Sequence, residues 1–206
     1  MKGTCVEAIN YLMSWIAQCS GGMLWCKDLV GMGTSSLAGM LHDLLTVHIS
    51  TRKRLGAFVR YDRVEYSDAS HLIMSIAYSL GMSDNRIGAA ISKVIGRNRA
   101  VLSMAPSEQF RLLLKGPLES LRVLANEGPL VVVIDGIEEC DPSNEMLAVL
   151  SRGFGQRLPF MRLLVFSRPT ELLSRAFTAP NSAVTTFILD TASIQAGCDI
   201  ESASVW

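Results

Sequence analysis

Apolar positions fall into two patterns along the chain, and their alternation predicts the fold. Val6, Ile9, Met13 and Ile16 recur at helical spacing, interrupted by Glu7 and Asn10, so the first element is an amphipathic helix from a Thr4 cap to about Ala17. Ser20-Gly21-Gly22 closes it, and Met23-Leu24-Trp25-Cys26 reads as a short buried strand. The glycine-rich turn Gly31-Met32-Gly33-Thr34-Ser35-Ser36 then leads into a helical stretch from Leu37 to Leu45. Leu55–Tyr61 has strand composition. Helices are predicted at about Ala69–Leu80 and Arg86–Ile95, with a longer one from Ser107 to Ala125 that Gly128-Pro129 stops. Leu130-Val131-Val132-Val133-Ile134 is an unbroken apolar run rich in β-branched residues, the pattern of a strand buried on both faces. A helix from Ser143 to Phe154 follows, then a strand at Arg162–Phe166, and Thr185–Leu189 can add an edge strand. Met74, Leu80 and Met82 are expected in the core, and Trp15 and Trp25 in or near it. Strands alternating with helices imply an α/β fold of three layers, a parallel sheet with helices on both faces.

Composition narrows the function classes. Of 206 residues 49% are hydrophobic and 18% charged, which is globular rather than disordered. Nineteen basic residues balance nineteen acidic ones, so nothing supports a nucleic-acid-binding face or a polybasic membrane anchor. No apolar run approaches the roughly 20 residues of a membrane-spanning helix, and the first helix lacks the form of a signal peptide. Cys5, Cys19, Cys26, Cys140 and Cys198 are an odd set without CxxC spacing, which argues against a disulfide framework or zinc and suits a reducing, cytoplasmic compartment. His42, His48 and His71 read as surface or helix-packing residues.

The candidate chemistry lies at the ends of the predicted strands. A phosphate-binding loop of the form G-x-x-x-x-G-K-[ST] cradles phosphates on backbone N–H groups, while its lysine reaches the β- and γ-phosphates and its hydroxyl holds magnesium. Anchored on Ser35, that frame gives Asp28-Leu29-Val30-Gly31-Met32-Gly33-Thr34-Ser35. Gly33 and Ser35 fit it; Asp28 stands at the first glycine and Thr34 at the lysine. Gly31, Gly33, Thr34, Ser35 and Ser36 are the candidate nucleotide-binding residues. Asp135 ends the strongest strand and, with Ser35, is the candidate magnesium pair. Glu138 and Glu139 follow it, where acids can orient an attacking water, and Arg168 ends the next strand, where an arginine can sense a γ-phosphate. Alone, those acids read equally well as a polar turn after a buried strand; Arg168 has a lesser reading as a surface arginine, and Lys27, which could swing in for the absent lysine, reads better as a strand-end surface residue. Such sites lie at the carboxyl ends of strands, so Asp135, Arg168 and Gly33 should converge at one sheet edge. These motifs resemble those of additional-strand P-loop NTPases, and the resemblance implies that the Arg162–Phe166 strand lies between the Asp135 strand and the Met23–Cys26 strand.

These segments, with Leu41-His42-Asp43-Leu44-Leu45, Ile134-Asp135-Gly136-Ile137-Glu138-Glu139-Cys140 and Leu164-Val165-Phe166-Ser167-Arg168-Pro169, resemble the fungal NACHT and nephrocystin-3-like N-terminal family from about Gly3 to Glu201. The resemblance implies a P-loop NTPase domain in signal transduction, binding ATP or GTP with Mg2+ and switching a larger protein between closed and assembled states. It divides the chain into a helical lead-in (1–20), the NTPase-like domain (21–190) and a truncated C-terminal segment (191–206). The family pattern has glycine at Asp28, lysine at Thr34 and, in the lead-in, arginine at Cys5. Losing one charge-assisted hydrogen bond to phosphate costs about 1.5–3 kcal/mol. A carboxylate about 6 Å away adds roughly 2–3 kcal/mol of repulsion. The expectation is therefore weak nucleotide binding and little or no hydrolysis. The alternative is a non-catalytic module for self-association or other protein partners, or a decayed fragment of a larger protein. A dinucleotide-binding reading of Gly31-x-Gly33-x-x-Ser36 with Asp62 as the ribose acid fits less well, because Asp62 lies late and Ser36 is neither glycine nor alanine.

Overall fold

Among the described residues the strands are short and assemble into one parallel sheet, and each but the last is followed by helix. The computed structural model describes residues 3–28, 33–47, 54–62, 68–155, 158–180 and 182–189. In chain order the elements are α1 (Gly3–Gln18), β1 (Gly22–Asp28), α2 (Thr34–Val47), β2 (Arg54–Arg60), α3 (Leu72–Ser83) and α4 (Asn85–Arg97). Then come α5 (Pro106–Gln109), α6 (Gly116–Ser120), β3 (Leu130–Asp135), α7 (Asn144–Gly153), β4 (Met161–Ser167), α8 (Glu171–Phe177) and β5 (Val184–Leu189). The strand order is β2-β3-β4-β1-β5, with every pairing parallel. β4 thus lies between β3 and β1, as expected from the sequence, and Val184–Leu189 is the edge strand.

The pleat sorts alternate residues of the strands into two cores, which makes the three layers. Leu24, Cys26, Val131, Val133, Leu164 and Phe166 pack with Ile9, Leu12 and Ile16 of α1 and with Leu37, Leu41 and Leu45 of α2. Met23, Trp25, Leu130, Val132, Ile134, Leu163 and Val165 pack with α3, α4, α7 and α8 on the opposite face. Full burial of each such side chain favours folding by about 1.5–3 kcal/mol, so both faces drive the sheet into the interior. Arg162 enters one end of β4 buried. It donates to the carbonyls of Ile16 at 3.0 Å and Pro159 at 2.6 Å, and burial pulls its pKa down.

Four expectations need correction. α1 begins at Gly3, so Thr4 lies inside its first turn and is not a cap. Val6 is exposed; the buried face of α1 runs through Ala8, Ile9, Leu12 and Ile16. Met82, near the end of α3, is 70% exposed and is no core residue, unlike Leu80. The single helix predicted from Ser107 to Ala125 is broken. α5 passes into a π turn at Phe110–Lys115, then α6, then a 3-10 segment at Arg122–Glu127. Pro117 has no N–H, and its ring crowds the carbonyl four residues back. The helix widens just ahead of it, the Gly116 N–H donating to the Arg111 carbonyl five residues back.

Candidate functional site

The carboxyl ends of β1, β2, β3 and β4 lie side by side and open onto one cleft of about 460 Å³. Two backbone bonds hold the strand ends level: the Tyr61 N–H donates to the Asp135 carbonyl and the Gly136 N–H to the Phe166 carbonyl, each at 2.9 Å. Gly136 turns the chain out of β3 in the left-handed region at φ +78°, and a Cβ there would lie 2.7 Å from the Tyr61 carbonyl oxygen. Glycine is therefore required on two counts. Across the cleft, Gly33 (φ +94°) releases the chain into α2 and accepts the Leu37 N–H at 3.0 Å. The start of that helix presents its unpaired N–H groups and positive dipole end.

Asp135 is the centre of the arrangement. Its Oδ1 accepts from Ser35 Oγ at 3.1 Å, and its Oδ2 lies 3.6 Å from Arg60 Nε. Burial raises the Asp135 pKa; the Ser35 hydrogen bond and Arg60 oppose the shift, and nearby Glu138 adds to it. The proton is therefore held more tightly in the folded chain than in the unfolded one. Asp135 accordingly lowers stability as pH rises above its unfolded value, and the penalty grows until pH passes the raised folded value. Asp135→Asn should melt at a higher temperature than the parent at pH 7, with the advantage shrinking as pH falls toward about 4. Melting curves across that range measure it, and a pH-independent difference would contradict the assignment.

Glu138 and Glu139 form a 3-10 turn after Gly136. Arg168, from the end of β4, is held against both: its N–H and Nε donate to Glu138 Oε1 at 3.0 and 3.2 Å, and its Nη2 to Glu139 Oε1. Glu138 is only 8% exposed, and its Oε2 is buried without a hydrogen-bond partner. An orphaned carboxylate oxygen beside Asp135 and the Ser35 hydroxyl is a hard-oxygen set, and magnesium needs only one or two carboxylates when phosphates complete its shell. These residues fit Mg2+. Among the described residues no group of three or more His, Cys, Asp or Glu makes a metal site unaided.

The structure brings Gly33, Ser35, Asp135, Glu138, Glu139 and Arg168 to this one cleft. Ser36 is exposed in the first turn of α2 and does not line it. Gly31 lies outside the described residues, and so does the side chain of Thr34. Asp28, 2% exposed at the end of β1, does line the cleft. Lys27 does not; its ammonium sits over the Trp25 ring, 4.4 Å from the centroid. Sequence reading missed Arg60, which also lines the cleft. Its only signal is the strand order, since the β2–β3 register sets Arg60 directly opposite Asp135. A larger hollow of about 640 Å³, lined by Arg111, Glu145 and Arg152 among others, contains no strand-end residue.

A parallel sheet in this order, with glycine and helix after one strand and a buried aspartate ending another, defines a P-loop NTPase-like domain. The chain belongs to the nephrocystin 3 N-terminal family, whose model matches residues 3–168. No curated protein matches it significantly in sequence. Among solved structures it is similar to the ORC2 protein of Aeropyrum pernix, determined as ADPNP-ADP complexes, at 14% identity and a TM-score of 0.43. That similarity covers 98% of this chain and 51% of the other, so the chain spans about half the length of that structure. Among the described residues no helix is long and apolar enough to cross a membrane.

Proposed function

We propose that this chain is the nucleotide-binding core of a signal-transduction NTPase of the STAND type, with a degenerate phosphate loop that leaves weak ATP or GTP binding and little or no hydrolysis. The observation that carries the reading is the Ser35–Asp135 hydrogen bond, which joins the helix after the glycine turn to the end of a neighbouring strand. A hydroxyl and a carboxylate so paired are the protein's share of a magnesium shell completed by a nucleotide. Magnesium bound there supplies positive charge to the β- and γ-phosphate oxygens. Glu138 and Glu139 are the candidates for orienting water, and Arg168 for sensing the terminal phosphate. Both acids are engaged by Arg168, which agrees with a resting, non-hydrolysing state.

Calorimetry with ATP and GTP, with and without magnesium, tests the proposal. Weak magnesium-dependent binding that Asp135→Ala abolishes is expected, with ATP hydrolysis no faster than in buffer. Magnesium-dependent turnover lost in Asp135→Ala would overturn the non-hydrolysing part. Absence of nucleotide binding even after the phosphate loop is repaired would leave the protein-interaction module as the function.

A further inference from the structure

We propose that Arg60, at the end of β2, supplies the positive charge that Thr34 withholds from the phosphate loop, and that it does so by contacting the terminal phosphate of a nucleoside triphosphate. The inference rests on the nucleotide reading above and adds a residue and a ligand preference to it.

Position is the first ground. The β2–β3 register pairs Arg60 with Asp135, and one carboxylate holds Ser35 on Oδ1 and Arg60 beside Oδ2. The guanidinium and the magnesium-type hydroxyl therefore flank the same group and line the same cleft as Gly33. Ser35 and Asp135 would hold the magnesium of a bound nucleotide, and its charge would favour the phosphates on the side of the cleft where Arg60 stands.

Freedom to move is the second ground. At 3.6 Å the Arg60–Asp135 contact is longer than a hydrogen bond. Arg60 is 62% exposed, whereas Asp135 is 3% exposed. Asp135 keeps Ser35 if the arginine turns away, so the planar fork can re-aim at a phosphate without leaving the acid alone.

Charge is the third. Asp28, Asp62, Asp135, Glu138 and Glu139 line the cleft, and among the described residues its cations are Arg60 and Arg168. Arg168 already serves two carboxylates. Among the described residues Arg60 has Asp135 as its one ion-pair partner. A polyphosphate entering this acidic cleft gains most from the cation least committed elsewhere.

The test is calorimetry with MgATP and MgADP in two backgrounds: Asp28→Gly, which keeps Thr34, and Asp28→Gly with Thr34→Lys. In the first, Arg60→Gln should weaken MgATP about ten- to a hundredfold and MgADP little, and Arg60→Lys should retain part of the difference. In the second, the restored lysine should shrink the loss to a few-fold. No loss in the first background, or the same loss in both, overturns the assignment and leaves the nucleotide reading standing. MgATP binding only in the lysine-bearing background also overturns Arg60 alone. No nucleotide binding in either background overturns both. Melting curves establish that each variant folds, and Arg60→Lys carries the test if Arg60→Gln does not.

Discussion

Changing Asp28→Gly and Thr34→Lys together should raise MgATP affinity by about 10² to 10⁴ over the parent chain. Asp28 is 2% exposed and lines the cleft with Asp135, so its charge acts on a bound phosphate with little solvent screening. At about 6 Å and an effective dielectric near 20, that repulsion is roughly 2–3 kcal/mol. A lysine at the start of α2 would add a charge-assisted hydrogen bond of about 1.5–3 kcal/mol. Three further features suit a phosphate loop: Gly33 at positive φ, the first turn of α2, and Ser35 bonded to Asp135. Each single change should gain less, because a lysine beside a retained Asp28 pairs with the carboxylate. Titration of the two single variants and the double variant decides the point. A double variant that binds no better than the parent would show that the glycine turn is not a phosphate loop.

The second large effect is on stability. Trp25→Ala should cost about 3–5 kcal/mol, the usual range for truncating a buried aromatic, and lower the melting temperature by about 6–20 °C. Trp25 is fully buried in β1, and its ring meets Phe177 of α8 edge-on at 5.2 Å. Its Nε1 donates to Ser167 Oγ at 2.8 Å, pinning β1 to β4 one residue before Arg168. Trp25→Phe keeps much of the packing but removes the donor, and should cost about 1–3 kcal/mol. Denaturant unfolding of both variants checks the order; a loss below about 1 kcal/mol for Trp25→Ala would mean that this face of the sheet is not close-packed.

What could be read in advance depended on how local the determinant was. The β3 run Leu130–Ile134 and the helical spacings announce themselves within a few residues, so the α/β layering follows from pattern alone, whereas the place of β4 follows from the resemblance to P-loop NTPases. The convergence of Ser35, Asp135, Glu138 and Arg168 on one cleft is legible because each stands at a fixed offset from the strand or turn before it. Arg60 has no such offset. Its place beside Asp135 exists only once β2 has docked on β3, and seventy-odd residues of sequence separate the two. The π turn was overlooked although Gly116-Pro117 was plainly visible, because apolar spacing continues across it while the backbone cannot. Met82 differs for another reason: apolar character does not tell which face a residue takes, and Met82 shares the open face of α3 with exposed Tyr78.

Strand order also sets a timetable for synthesis. β1 is hydrogen-bonded to β4 and β5 and to no other strand of the described sheet, yet it leaves the ribosome before either. At about 5–20 residues per second, roughly 7–27 s separate its appearance from that of Met161. Throughout that interval Met23–Cys26 is an apolar ribbon with two open edges, the kind of segment that chaperones hold and that aggregates if they do not. The cleft consequently forms only once β4 has been made and slides between β1 and β3, both of which precede it in the chain.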